Sequence, residues 1–252
     1  AIFLSFWLVA GYILLFNPIS GVEILAGKLF WIFFASLILV IVGIFDDARP
    51  LSPKLRLIIT AFACLVAIIG GLGLEKITNP FGGVIQLNSL LFIADLAVFV
   101  WLMGMMYTTK VLDGLDGLTT GLGFIASMMI CFLASTNKYF QPNVGLLSII
   151  FAGSCLGFLI FNFHPAKIFL GEAGSLFIGF MIGVLSIISG GKIATALLVM
   201  AVPILDLARV IYIRFRYKRS FFQGDREHLH YRLLDIGWGH KQTVVFFYGI
   251  SF

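Results

Sequence analysis

The chain has 252 residues, 60% of them hydrophobic and 12% charged, with a mean hydropathy of +1.07. A soluble globular chain is about 45–50% apolar and about 25% charged, so composition excludes an ordinary soluble domain and indicates a polytopic membrane protein. The net charge of +5 carries no nucleic-acid signal by itself, and the three cysteines (Cys64, Cys131 and Cys155) lie far apart in apolar runs, with neither metal spacing nor a disulfide framework.

A helix needs roughly 20 apolar residues to cross a bilayer. Hydropathy predicts spans near 1–16, 29–45, 55–74, 89–107, 119–135, 144–163, 174–189 and 193–213, with a ninth beginning near 243. The expected fold class is all-α, a polytopic transmembrane helical bundle forming one domain over 1–252. The first span opens at residue 1 without the basic lead-in of a signal peptide, and truncation at both ends is the expectation. The loop 75–88, EKITNPFGGVIQLN, reads as a short turn-rich hairpin without evident chemistry. Asp95, within the fourth span, reads as a buried hydrogen-bonded residue rather than a catalytic one.

Basic residues alternate between loops. Arg49, Lys54, Arg56, Lys110, Lys167, Arg209, Arg214, Arg216, Lys218, Arg219, Arg226, Arg232 and Lys241 fall on one side, whereas Lys28, Lys76, Lys138 and Lys192 fall on the other. The positive-inside rule assigns the larger set to the cytoplasm. Nine of the 12 acids lie on that same side, although the rule does not require acids to follow bases. A shared cytoplasmic active site accounts for the excess.

Four patches on that side carry the candidate chemistry. The second span ends in GIFDDARPLSPKLR, where Asp46 and Asp47 meet Lys54 and Arg56 at one mouth. Paired acids can hold Mg²⁺ or act as a base, and nearby cations can hold phosphate; a solvated loop is the bland alternative. The stretch TTKVLDGLDGL, residues 108–118, sets Asp113 and Asp116 three residues apart, each followed by glycine. Two carboxylates in one turn repel unless a cation lies between them, which suggests a divalent-cation and phosphate site. Asp and Gly are also ordinary cap and turn residues.

The run FNFHPAKIFLGEAGSLFIGF, residues 161–180, combines His164, Lys167 and Glu172 with a small-residue turn at a helix start. Exposed amides there suit an anion, and Glu172 is read as a metal ligand, with complementing of the helix dipole as the alternative. Asp206 and Arg209 share a helix face, either as a pair that satisfies itself or as direct ligands. In GDREHLHYRLL, residues 224–234, Arg226, His228 and His230 suit a negative diphosphate better than zinc, for which further soft ligands are missing.

In this order, DD after a span, DGLDGL, G-acid-A-G-S and DRxHLHxRLL resemble the polyprenyl-phosphate N-acetylhexosamine-1-phosphate transferase family, in particular its undecaprenyl-phosphate GlcNAc-1-phosphate transferase branch. The similarity runs from about Gly43 to the end of the chain. DGLDGL and the histidine loop are its specific elements. The resemblance implies about ten or eleven helices, an active site on the cytoplasmic face of the cell membrane, and dependence on Mg²⁺, with Mn²⁺ as a substitute. It also implies transfer of a sugar-1-phosphate from a UDP-sugar to a polyprenyl phosphate with release of UMP. The membrane and these substrates are the expected partners, without nucleic acid, and a homodimer is a candidate assembly.

Carried onto this chain, Asp46, Asp47, Asp113 and Asp116 are the catalytic acids. Glu172, Asp113 and Asp116 are the metal ligands. His228 and His230 match histidines of the family's last motif, and with Lys54, Arg56, Lys110 and Arg226 they are the expected substrate-binding residues. Four positions depart from the family pattern: Tyr107 and Lys110 where asparagines are usual, Glu172 where aspartate is usual, and Tyr231 where a further histidine is common. Tyr231 argues against the sister activity, transfer of phospho-MurNAc-pentapeptide. An ion-coupled transporter would need acids at mid-bilayer and internal repeats, and neither is evident. A catalytically silent membrane relative is the remaining rival, kept open by Lys110 and Glu172.

Overall fold

The computed structural model describes residues 1–16, 22–74, 76–78, 84–86, 91–137, 140–189, 193–218 and 227–251. The described chain is almost entirely helical. In order it forms α1 (Ile2–Phe16), α2 (Val22–Ala48), α3 (Pro53–Ile69), α4 (Leu91–Leu112), α5 (Leu118–Ser135), α6 (Pro142–Asn162), α7 (Gly171–Ile188), α8 (Ile193–Val199), α9 (Ala201–Arg216), α10 (Leu229–Asp235) and α11 (His240–Ser251). Between α3 and α4, strands β1 (Lys76–Thr78) and β2 (Val84–Gln86) pair antiparallel with Ile77 opposite Ile85, which is the expected hairpin.

Among the described residues, five segments are long and apolar enough to cross a membrane: Gly27–Ala48, Phe92–Leu112, Leu118–Ser135, Pro142–Asn162 and Gly171–Ile188. The chain is therefore an all-α multi-pass membrane protein. The helices at three other predicted spans are shorter, with 15 residues in α1, 17 in α3 and 16 in α9. The span expected over 193–213 is broken. Met200 leaves helical geometry at φ −96°, ψ 10°, separating α8 from α9. Pro203 follows at once; it has no N–H to give to the carbonyl four residues back, which is a common cause of a helix break.

The bundle is organised on α7. Its sequence is apolar on every face, and each residue from 175 to 187 is buried, as expected for a helix surrounded by others. It packs against α2, α4 and α5. Small residues permit the close approach: a Cβ on Gly43 of α2 would lie 2.3 Å from the Ala173 Cα, and one on Gly179 would lie 2.6 Å from the Met105 carbonyl oxygen. Phe6, Phe151 and Phe177 meet edge to face and fasten α1 to α6 and α7.

Local signals set the ends of these helices near the polar loops. Ser52 caps α3 by accepting the Leu55 N–H at 3.3 Å, and Pro53 stands in the first turn, where its missing N–H is not needed. α3 starts beside the end of α2, and α4 ends at the 113–117 loop. The β hairpin that joins them therefore lies about one helix length away, roughly 25 Å for 17 residues.

Candidate active site

Asp46 and Asp47 end α2 but perform different tasks. Asp46 is buried. Its Oδ1 accepts the Leu51 N–H and its Oδ2 lies 3.1 Å from Arg56 Nε, while Arg56 donates to the Leu51 carbonyl at 3.1 Å. These contacts fold the α2–α3 turn on itself. Asp47 points away and accepts the Glu172 N–H at 2.9 Å, capping the first turn of α7. Gly171, at φ +71°, makes room for this: a Cβ there would lie 2.6 Å from Asp47 Oδ2. Carboxylates at helix N-termini are stabilised by the free N–H groups and the dipole.

The 113–117 loop is held from three sides. Asn162, buried at the end of α6, accepts from Gly117 N–H at 3.2 Å and from the Thr120 hydroxyl at 2.9 Å, and donates to the Ile168 carbonyl at 3.0 Å. Asp116 Oδ2 lies 2.8 Å from His164 Nδ1 and accepts the Ala166 N–H at 3.2 Å. The Asp116 N–H donates to His240 Nε2 at 3.1 Å, and the His164 and His240 rings stack with centroids 4.3 Å apart. Tyr248, two turns further along α11, donates its hydroxyl to the Gly117 carbonyl at 2.6 Å. Burial opposes ionisation of Asp116, but the hydrogen bonds from His164 and Ala166 and the charges of His240 and His164 hold its carboxyl below the ordinary range.

Asp113 behaves oppositely. Burial, reinforced by the charges of Asp47, Glu172 and Asp116, pushes its carboxyl up to about 7. Lys110, in the last turn of α4, forms an ion pair with Glu172 Oε1, and its ammonium lies 5.7 Å from the centroid of the Tyr107 ring. A cleft between α2, α3 and α7 is lined by Asp46, Arg56, Thr60 and Glu172 at its polar part and by Leu39, Val42, Ile59 and Leu176 at its apolar part.

The histidine loop closes over the same region. Asp206 Oδ2 accepts from Leu229 N–H at 3.0 Å and lies 2.9 Å from His228 Nδ1, and its Oδ1 takes Arg209 at 3.2 Å. Arg209 also donates to the Glu227 carbonyl. The intramembrane-pair alternative for Asp206 and Arg209 thus widens into a network that anchors α10 to α9. His230 is buried, and its Nε2 has no hydrogen-bond partner. Burial and the nearby His228 depress its imidazole to about 4, against an opposing contribution from Asp206. A Cβ on Gly114 would lie 2.4 Å from the Tyr231 hydroxyl and 2.9 Å from His230 Nε2. The backbone beside Asp113 therefore packs directly on these two rings.

The structure brings together residues of all four sequence patches but groups them differently from the sequence reading. Within the ligand set Glu172, Asp113 and Asp116, Glu172 engages Lys110 and Asp116 engages His164 and His240, while the charges of both act on Asp113. Among the substrate-binding candidates, Arg56 is committed to Asp46 and Leu51, Lys110 to Glu172, and Lys54 is exposed. Arg226 lies outside the described residues. Asn162, His240 and Tyr248 were not singled out from sequence. Asn162 and His240 carry a faint signal, each being a polar residue at the edge of an apolar run; Tyr248 carries none.

Mg²⁺ takes hard oxygen donors and keeps several waters. Asp47, Asp113 and Glu172 supply oxygen donors whose charges already act on one another, and this chemistry fits Mg²⁺ or Mn²⁺. Among the described residues, the group of three whose ligand atoms all lie within 4.8 Å is instead Asp116, His164 and His240. That set has mixed nitrogen and oxygen donors, which suit a softer ion, and its members satisfy one another by hydrogen bonds.

The glycosyl transferase family 4 profile matches residues 29–190. The chain is 33% identical over 221 residues to a probable undecaprenyl-phosphate N-acetylglucosaminyl 1-phosphate transferase of Bacillus subtilis, covering 85% of this chain and 61% of that protein. It is 35% identical over 236 residues to a decaprenyl-phosphate N-acetylglucosaminephosphotransferase of Mycobacterium leprae, covering 82% and 58%. It is also 34% identical over 221 residues to a phospho-N-acetylmuramoyl-pentapeptide-transferase of Lactobacillus gasseri, covering 82% and 67%. The chain thus spans about three fifths of the length of the first two of these relatives.

Proposed function

The chain belongs to glycosyl transferase family 4, and on that premise we propose that it transfers a sugar-1-phosphate, GlcNAc-1-phosphate in the first instance, from a UDP-sugar to a polyprenyl phosphate. The observation that carries this reading is the convergence of acids, an ammonium and histidines on the 113–117 loop, at the ends of membrane-length helices. A water-soluble anion and a lipid phosphate can meet only at such a boundary. The names of the B. subtilis and M. leprae relatives support the same transferred group and the same class of lipid acceptor.

In the reaction, an oxygen of the lipid phosphate attacks the β-phosphorus of the UDP-sugar. A new P–O bond forms, the bond from the β-phosphorus to the bridging oxygen breaks, and that oxygen leaves with UMP. Both reactants are anions, so positioning and neutralisation dominate, as in phosphoryl transfer generally. A lipid phosphate is largely ionised near neutral pH, because a phosphate ester has a second pKa near ~6. The chain therefore needs to guide this nucleophile more than to deprotonate it.

Asp47, Asp113 and Glu172 would hold a divalent ion, which when bound neutralises charge on the diphosphate. Asp46 keeps Arg56 oriented at the mouth of the α2–α3–α7 cleft, whose apolar part suits the first isoprene units. The paired Asp116 and Asp206 fix Nδ1 of His164 and His228, which leaves each Nε2 for phosphate oxygens. We place the site on the cytoplasmic face of the cell membrane, from the distribution of basic residues.

The test is release of UMP from UDP-GlcNAc by the purified protein with undecaprenyl phosphate and Mg²⁺. Turnover with UDP-MurNAc-pentapeptide instead would assign the sister activity. Release of UMP from neither donor would overturn the reading.

A further inference from the structure

Lys110 is placed by the last turn of α4, three residues before Asp113. Its ammonium contacts Glu172 and lies over the Tyr107 ring, with 22% of the lysine side chain and 14% of the glutamate side chain exposed. The partner it has chosen matters. Glu172 stands in the first turn of α7, its own N–H is held by Asp47, and its charge is one of those acting on Asp113. These three carboxylates are the oxygen donors that fit a divalent ion, and one of them already carries a cation belonging to the chain.

Two cations then contend for one carboxylate. The ammonium is a compact charge on a flexible stem and is delivered without a search through solution. A divalent ion brings twice the charge but gives up water reluctantly when it is Mg²⁺.

We propose that Lys110 is the resident counter-cation of this acidic cluster, and that a divalent ion enters by displacing it from Glu172. The displaced ammonium remains tethered beside the 113–117 loop, where an incoming diphosphate offers it new oxygen partners. Lys110 is thus a positioning residue: it lowers the charge of the empty cluster, weakens metal binding in the absence of nucleotide, and becomes a phosphate donor once the ion is in place. Only this last role rests on the proposed phosphotransfer activity; the contest for Glu172 does not.

The test is Mn²⁺ binding to the full chain in lipid nanodiscs, read by electron paramagnetic resonance without any substrate. Removing the competing charge in Lys110→Asn or Lys110→Met is expected to tighten Mn²⁺ binding about tenfold, whereas Lys110→Arg, which keeps the charge, stays near the native value. An unchanged or weaker affinity in both neutral variants, with native thermal melting, would overturn the proposal. Should neither variant fold, the native protein decides. Acetylation of Lys110, followed by mass spectrometry with Lys54 as the exposed reference, should rise several-fold on addition of Mg²⁺; no rise overturns the proposal. UMP release is measured in parallel. Tightened Mn²⁺ binding with no UMP release from either donor removes the functional reading and leaves the tethered cation standing. UMP release with metal affinity indifferent to Lys110 does the reverse.

Discussion

The Tyr248 hydroxyl donates to the Gly117 carbonyl at 2.6 Å, joining α11 to the loop that carries Asp113 and Asp116 across 131 residues of sequence. The same ring fills the space beside Gly121, where a Cβ would fall 2.0 Å from the hydroxyl oxygen. The loop is therefore set from outside its own segment. Tyr248→Phe removes one hydrogen bond and keeps the packing, so stability should fall by about 0.5–1.5 kcal/mol. Activity should fall more than stability, because the carbonyl it releases adjoins Asp116. Thermal melting and initial rates on the same preparation check this, and an unaltered kcat would show that the loop is set without Tyr248.

In the proposed site Glu172 would act on the substrates through a cation and Asp116 through a histidine. Each of Glu172→Gln and Asp116→Asn should lower kcat by about 10²-fold or more, the scale for losing one strong electrostatic contact in a site. They should differ in metal dependence. The Glu172→Gln defect should be partly relieved by raising Mg²⁺, and the Asp116→Asn defect should not. Turnover that persists undiminished in EDTA would remove the ion from the mechanism of both.

His230 supplies a pH dependence of known sign. Its imidazole is depressed from an ordinary 6.5 to about 4, first by burial and then by His228. The unfolded chain therefore binds a proton between those values that the folded chain refuses. The contribution to stability is complete above about pH 6.5 and is lost as pH falls toward 4, by roughly 1.4 kcal/mol for each pH unit. Melting temperatures of the native protein should drop over that window. His230→Gln should show a shallower drop, and equal slopes for the two proteins would contradict the assignment.

The distribution of basic residues predicts opposite sides for the loops 75–88 and 220–235. Cysteines introduced singly at Gly82 and Gln223, in a background without the three native cysteines, should react with an impermeant thiol reagent from opposite sides of sealed vesicles. Labelling of both from one side would invert the placement of the site.

Much of the bundle was legible from hydropathy alone, because a segment such as 144–163 cannot be stable in water and long enough to span by accident. The break at Met200 was not, since an apolar run reads as continuous whatever a proline does inside it; Pro203 was the visible sign. The acids were found because adjacent charges at the edge of an apolar run are costly and conspicuous. Their partners were harder. His240 lies 124 residues from Asp116 and Lys110 lies 62 from Glu172, and spacing along a chain reveals only neighbours on one turn or one face. The sequence joined Asp113, Asp116 and Glu172 as one ligand set from their motifs, and could not show that Glu172 is paired with Lys110, that Asp116 is paired with His164, or that Asp113 is left among like charges.

The late position of α11 bears on how the protein is made. The 113–117 loop receives His240 and Tyr248 from the last helix of the described chain. While the ribosome is still producing the preceding segments, that loop has Asn162 and His164 but lacks its outer wall. Its carboxylates then stand open at the membrane surface for the interval between synthesis of α6 and of α11. Completion of the site thus waits on translation of α11, and a nascent chain halted before residue 240 would carry every acid of the site without His240 and Tyr248.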